Sequence, residues 1–174
     1  MLFNVSGLIQ EGIGATRHHE VDGILYGDER EPEPFEGDVE MIRTKAGILV
    51  RAHLILQASE TCSRCLQPLR ETLAIDFEEE FRTPLDSLGA QQPEGLDEEA
   101  FQVDEKHLLD LTEAVRQYRE ASAVMQPLCR PDCKGLCSWC GRDLNAGDCG
   151  CNQGPADARW AALSGLLPDV EGKD

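Results

Sequence analysis

Residues 48–81 read ILVRAHLILQASETCSRCLQPLRETLAIDFEEEF, two alternating runs that meet at a cysteine turn. In the first run Ile48, Val50, Ala52, Leu54, Leu56 and Ala58 recur at period two, with Arg51, His53 and Gln57 between them. A pleated strand sends successive side chains to opposite faces, so this pattern predicts a half-buried β-strand. Leu73, Ile75, Phe77 and Phe81 form a second alternating set after the turn. Cys62-Ser-Arg-Cys65, followed by Gln67-Pro68, therefore falls at the connection between two antiparallel strands.

Upstream, Asp38-Val-Glu-Met-Ile-Arg-Thr44 is expected to pair with the first of these strands across Lys45-Ala46-Gly47, and LFNVSGLIQ (residues 2–10) to add an edge strand. Downstream, Gly89 to Asp104 combines turn formers and acids without periodicity and reads as a surface loop. Leu108, Leu111, Val115 and Tyr118, with Ala114 and Ala121, make the apolar stripe of a helix that begins at His107, covers the sheet and ends before Pro127. Pro155 and Asp157 open a short terminal helix anchored by Trp160, Leu163 and Leu167 and stopped by Pro168. The fold class is α+β: an antiparallel sheet packed by one main helix, with a C-terminal cysteine-rich zinc-binding module and a short terminal helix. Residues 1–126 are expected to form the α+β domain, with the CxxC knuckle at 62–65 and an acidic loop at about 83–105. Residues 127–174 hold the zinc module and the terminal helix, packed on the same core. A chain of 174 residues is long enough to bury a real core.

All eight cysteines lie in two places, Cys62 and Cys65 in the knuckle and Cys129, Cys133, Cys137, Cys140, Cys149 and Cys151 in a short later stretch. Thiolates in pairs two to four residues apart are read first as tetrahedral zinc ligands, and the Cys62–Cys65 and Cys137–Cys140 pairs fit. Gly135 and Gly141 let the chain fold back around the second pair. The expectation is two structural zinc ions held by all eight cysteines, ahead of one site with spare thiols or a set of disulfides. MLFNVSGLIQEGIG carries no export signal, so a reducing cytoplasm is the expected compartment. No run approaches the length of a membrane span.

The net charge of −17 is the second constraint, because a chain this acidic repels nucleic-acid phosphates unless its basic residues gather on one face. In the cysteine stretch Arg130, Lys134 and Arg142 are balanced by Asp132, Asp143 and Asp148. The acids concentrate in two blocks, seven in residues 28–40 and eleven in residues 76–105. One reading makes them solvated loops. The other makes them a surface for a basic protein.

Catalytic patterns fail on inspection. Gly12-Ile-Gly-Ala-Thr-Arg17 lacks the third glycine and the βαβ context of a dinucleotide loop. Asp143-Leu-Asn145-Ala-Gly-Asp148 starts like a calcium loop but has Gly147 and Gly154 where ligands are needed. His18, His19, His53 and His107 read as ordinary surface histidines. A redox dithiol at Cys62–Cys65 would need a helix start in a βαβ unit, not a turn between antiparallel strands. Catalytic zinc wants a histidine or carboxylate and an open position, which eight thiolates do not require.

Cys62-Ser-Arg-Cys-Leu66, Leu109-Asp-Leu-Thr-Glu113 and Pro127-Leu-Cys-Arg-Pro-Asp-Cys-Lys-Gly-Leu-Cys-Ser-Trp-Cys-Gly141, with Leu144-Asn145 and Cys149-Gly-Cys151, together resemble the YceD family of large ribosomal RNA subunit accumulation proteins. The resemblance runs over about residues 38–167. It implies a non-enzymatic factor that supports 23S ribosomal RNA accumulation in large-subunit biogenesis. Since some family members lack most of these cysteines, it also implies a metal that staples the fold.

Chain length suggests how the ligands divide. Cys137, Cys140, Cys149 and Cys151 close a local site through a short loop, leaving Cys62, Cys65, Cys129 and Cys133 for the other, although an interleaved arrangement stays open. The expected partner is a basic ribosomal protein or a precursor of the large subunit, with no membrane and no small-molecule substrate. A direct RNA binder using Arg130, Lys134, Arg142 and Trp139 is the alternative, and a thiol oxidoreductase the lesser one.

Overall fold

The computed structural model describes residues 1–27, 31–83, 101–151 and Arg159. The two alternating runs become β4 (Gly47–Thr61) and β5 (Pro68–Arg82), paired antiparallel along their whole length from Gly47↔Arg82 to Thr61↔Pro68. On the other side β4 pairs with β3 (Glu33–Arg43), and β3 with β2 (Thr16–Leu25), giving a four-stranded antiparallel sheet in the order β2-β3-β4-β5. The expected turn across Lys45-Ala46-Gly47 is closed by Thr44 N–H to Gly47 O at 3.0 Å and by Gly47 N–H to the Thr44 hydroxyl at 2.9 Å. Glycine is required here: a Cβ on Gly47 would sit 2.0 Å from the Phe81 carbonyl oxygen.

One face of the sheet builds the core. Ile48, Val50, Leu54 and Leu56 from β4 are fully buried with Val39 and Met41 of β3 and Ile75 and Phe81 of β5. Burial of such a side chain stabilises the fold by roughly 1.5–3 kcal/mol, which outweighs any single surface contact described below. Helix α2 (Thr112–Ser122) covers this face through Ala114 and Val115, and Tyr118 stacks on Phe77 with ring centres 4.7 Å apart. An isolated helix of eleven residues is marginal in water, so packing, not propensity, holds α2.

Four expectations need correction. Leu2–Asn4 forms β1, but it pairs with β6 (Leu108–Asp110) in a separate two-stranded ladder and does not extend the main sheet. Residues Ser6–Gln10 then form a short helix, α1, because the Asn4 side chain accepts from both the Ser6 amide and hydroxyl and turns the chain. The main helix starts at Thr112 and not at His107, since Leu108–Asp110 are extended, with Leu109 and Leu111 buried, and Asp110 Oδ1 accepts from the Thr112 amide at 2.9 Å. Nor are the acidic blocks simply loops. Glu33 to Glu40 lie on β3 and Asp76 to Glu80 on β5, while Phe101 stacks on Phe81 and Val103 is buried at the far end of the expected acidic loop. The rest of that loop, residues 84–100, and the expected terminal helix at residues 155–168 lie outside the described residues, apart from Arg159.

One ion triad sits inside this apolar frame. Arg119 of α2 is 1% exposed and donates to both carboxylate oxygens of Glu33, at 2.9 and 2.7 Å, with Glu60 at 2.8 Å from the same guanidinium. Glu33 Oε1 also accepts the Ser59 amide at 2.8 Å, so the triad fastens the end of α2 to the start of β3 and the end of β4. Removing one partner of a buried pair strands the other charge, at a cost of about 3–5 kcal/mol. Glu33→Ala is therefore expected to lower unfolding free energy in urea by about 3 kcal/mol, while a Glu33→Leu/Arg119→Met double variant loses much less.

Candidate metal centres

The turn between β4 and β5 is a tight knuckle. Cys62 N–H donates to Gln67 O and Leu66 N–H to Cys62 O, both at 2.9 Å, and Leu66 adopts the left-handed conformation at φ 59°. A second turn repeats it: Gly141 N–H donates to Cys137 O at 2.9 Å, and Gly141 has φ 72°. In each, the fourth residue after the first cysteine takes positive φ so that both cysteine side chains point to one side. Glycine does this without strain, whereas the leucine costs roughly 1 kcal/mol.

The structure assembles the eight sulfurs into two groups, Cys62, Cys65, Cys129 and Cys133, and Cys137, Cys140, Cys149 and Cys151. Within each group the sulfurs lie within 4.8 Å of one another. This is the division that loop length favours over an interleaved one. Cys62 and Cys133 sulfurs are 3.9 Å apart and those of Cys65 and Cys129 3.6 Å apart. Zinc–sulfur bonds of about 2.3 Å at tetrahedral angles place sulfurs about 3.8 Å apart, whereas a disulfide needs about 2.05 Å. All eight are free thiols. The first group is the more interior, with Cys62, Cys65 and Cys133 buried and packed against Leu69 and Leu128 and Cys129 exposed. The second is peripheral: Cys137 is buried, but Cys140 and Cys151 are exposed.

Electrostatics fits the same use. Backbone N–H groups of Cys129, Cys65 and Arg64 converge on the Cys62 sulfur and hold its pKa down at about 6. In the second group the Cys140 and Trp139 amides, with Cys149, hold Cys137 at about 6. The last proton in each group is hard to remove. Cys65 and burial push Cys129 up to about 12, and Cys140 and Cys149 push Cys151 up to about 12. Four adjacent thiolates repel each other unless a cation sits among them, and a divalent ion reverses the balance. Four soft sulfurs with neither histidine nor carboxylate suit zinc in a closed site with no open position.

Among the described residues these are the two groups of histidine, cysteine or carboxylate ligands able to hold an ion. The histidines are spent elsewhere: His53 pairs with Asp76, His18 lies 3.5 Å from Glu40, and His19 tilts against Phe3. His107 occupies a turn at φ 60° before β6. Asn145, present in the sequence as part of the family motif, has a role its spacing did not show: its side-chain amide donates to Cys133 Sγ at 3.4 Å. The failed calcium pattern from Asp143 to Asp148 was the trace it left.

The YceD family profile, described as large ribosomal RNA subunit accumulation protein YceD, matches residues 50–167, which take in all eight cysteines and α2. The chain belongs to the YceD family. Uncharacterized proteins of Mycobacterium bovis and Mycobacterium tuberculosis are each 33% identical to it over 130 residues. That alignment covers 75% of this chain and 60% of each relative, so this YceD chain spans about 60% of the length of those relatives. No solved structure matches it.

The second group docks on the knuckle at Gly135. Its φ is +75°, and an added Cβ would stand 2.9 Å from the Arg64 carbonyl oxygen, the same oxygen that accepts the Leu136 amide at 3.1 Å. Gly135→Ala is expected to cost about 1–2 kcal/mol locally. Hydrogen exchange should quicken at Leu136 and across residues 135–145 while the β4–β5 amides keep their protection.

Proposed function

We propose that this chain is a non-enzymatic factor in large ribosomal subunit biogenesis, supporting 23S ribosomal RNA accumulation in the cytoplasm, with two structural zinc ions and an acidic face for a basic ribosomal protein. The family description supports the subunit. Burial of Cys62 and Cys65 supports a structural use of the thiols over thiol exchange, which needs an accessible sulfur. Among the described residues no helix is long and apolar enough to cross a membrane.

The observation that carries the partner class is the outward face of the sheet, opposite α2. Glu20 stands directly across from Asp38, and Asp22 from Glu36, all four exposed. Like charges in directly opposed positions destabilise a sheet, so this arrangement costs the free protein. A cationic partner would relieve it. On the next strands Arg51 is matched by Glu78 and His53 by Asp76, which leaves little positive charge to balance the rest. The Asp76 hydrogen bond and charge, with Asp38 nearby, hold the His53 pKa above its ordinary value, as a negative field should. Direct RNA contact finds less support: Arg130 donates to Asn145 at 2.8 Å and lies 3.5 Å from Asp132, although Trp139 is exposed.

Elemental analysis of reduced, purified protein should find about two zinc ions per chain. Cys137→Ser should lower that to about one and loosen the C-terminal stretch; protein without zinc would end the metal reading.

For the partner, neutralising Glu20, Asp22, Glu36 and Asp38 to Gln and Asn should weaken co-sedimentation with large-subunit precursors, and wild-type binding should fall as salt shortens screening to about 10 Å at 0.1 M. Replacing Arg130, Lys134 and Arg142 should leave binding near wild type. The opposite pattern, with the acidic variant binding normally and the basic one failing, would replace this reading with direct RNA binding.

A further inference from the structure

The loop that joins the two ligand pairs of the second group reaches over to the first. Asn145 lies between Cys140 and Cys149, yet its Nδ2 donates to Cys133 Sγ at 3.4 Å and to Asp143 Oδ1 at 2.8 Å. Its Oδ1 accepts the Lys134 amide and the Arg130 guanidinium, each at 2.8 Å. These four partners fix the amide orientation, because a flipped group would point N–H at two donors and oxygen at two acceptors. The loop is held in place by Leu144 N–H to Gly135 O at 2.9 Å and Cys137 N–H to Arg142 O at 2.8 Å.

An N–H aimed at a ligating sulfur stabilises its negative form and fixes its direction, and loss of such an outer contact usually costs 10- to 100-fold in metal affinity. The better its loop is fixed, the less entropy Asn145 loses in making that contact. The backbone bonds hold the loop near Arg142 and Leu144, and an ion shared by Cys137, Cys140, Cys149 and Cys151 would also tie its far end, where Cys151 is exposed. Closing the loop beforehand removes the entropy that placing Asn145 would cost.

We infer that the two cysteine groups load metal cooperatively, with Asn145 as the positioning residue through which an ion in the second group raises the affinity of the first. This rests on the two-ion reading above. Coupling of binding free energies is reciprocal, so the first ion raises the affinity of the second group by the same factor.

The test is a cobalt(II) titration of the reduced full chain, read by thiolate-to-metal absorbance, with ions counted by native mass spectrometry. Cys140→Ser/Cys149→Ser disables the second group and should weaken cobalt binding at the first about tenfold, within the range for outer-contact losses. Cys129→Ser should weaken the second group by a similar factor. Asn145→Asp keeps the oxygen that serves Lys134 and Arg130 but turns a carboxylate oxygen on Cys133. It should cost about tenfold in the wild-type background and clearly less in Cys140→Ser/Cys149→Ser, because the two changes remove the same contact. Circular dichroism of the sheet should be unchanged in every variant. Two ions bound by wild type with first-group affinity intact in Cys140→Ser/Cys149→Ser would overturn the coupling alone. Equal cost of Asn145→Asp in both backgrounds would overturn Asn145 as its carrier. No cobalt bound by wild type would remove the metal reading and the coupling with it.

Discussion

Cys62 and Cys133 are 71 residues apart in the chain, yet their sulfurs lie 3.9 Å from each other; Cys65 and Cys129, 64 residues apart, reach 3.6 Å. That convergence positions the chain beyond α2. It is possible because the knuckle is not a free loop. The register of β4 and β5 runs unbroken to Thr61↔Pro68, so Cys62 and Cys65 project from the end of a rigid ribbon. Hydrogen bonds to backbone carbonyls then seat the later stretch on it, with Ser63 N–H to Pro127 O at 2.9 Å and the Arg64 guanidinium to Cys133 O at 2.8 Å. Loop-closure entropy grows only slowly with length, which makes a clip between such distant segments feasible.

The same end of the sheet carries the Arg119–Glu33–Glu60 triad, and the two devices differ in kind. Apolar burial around Leu54 and Ile75 supplies most of the stability but is non-directional. The triad adds little net free energy once its desolvation is counted, but it admits only one placement of α2 against β3 and β4. With Pro127 bonded to the knuckle just after that helix, the triad and the sulfurs share one alignment.

How far the sequence disclosed this depended on whether each element buries one face. β4 and β5 do, and their period-two pattern named them and the knuckle between them. β2 is exposed on both faces over His18 to Glu20 and offered no alternation to read. The helix start was misplaced because Leu108 in β6, buried Leu111 beside it and buried Val115 in α2 happen to fit one helical spacing. Arg119 drew no reading, since nothing local in the sequence shows that Glu33 lies beside it. The cysteines were legible by spacing and their grouping by loop length, but Asn145 was not, because a contact to a sulfur outside its own loop leaves no periodic trace.

Among the described residues β2 has a hydrogen-bonded neighbour on one side only, so its other side offers backbone donors and acceptors to an extended chain, including a second molecule of this protein. Two such edges placed together would bring Glu20 and Asp22 of one copy close to those of the other. Mutual repulsion would then oppose pairing at a strand that carries no proline and runs in unbroken register with β3, and that repulsion weakens as ionic strength rises. The carboxylates of this face thus also work against edge-to-edge pairing of two copies, and their removal would leave a ten-residue strand without that repulsion.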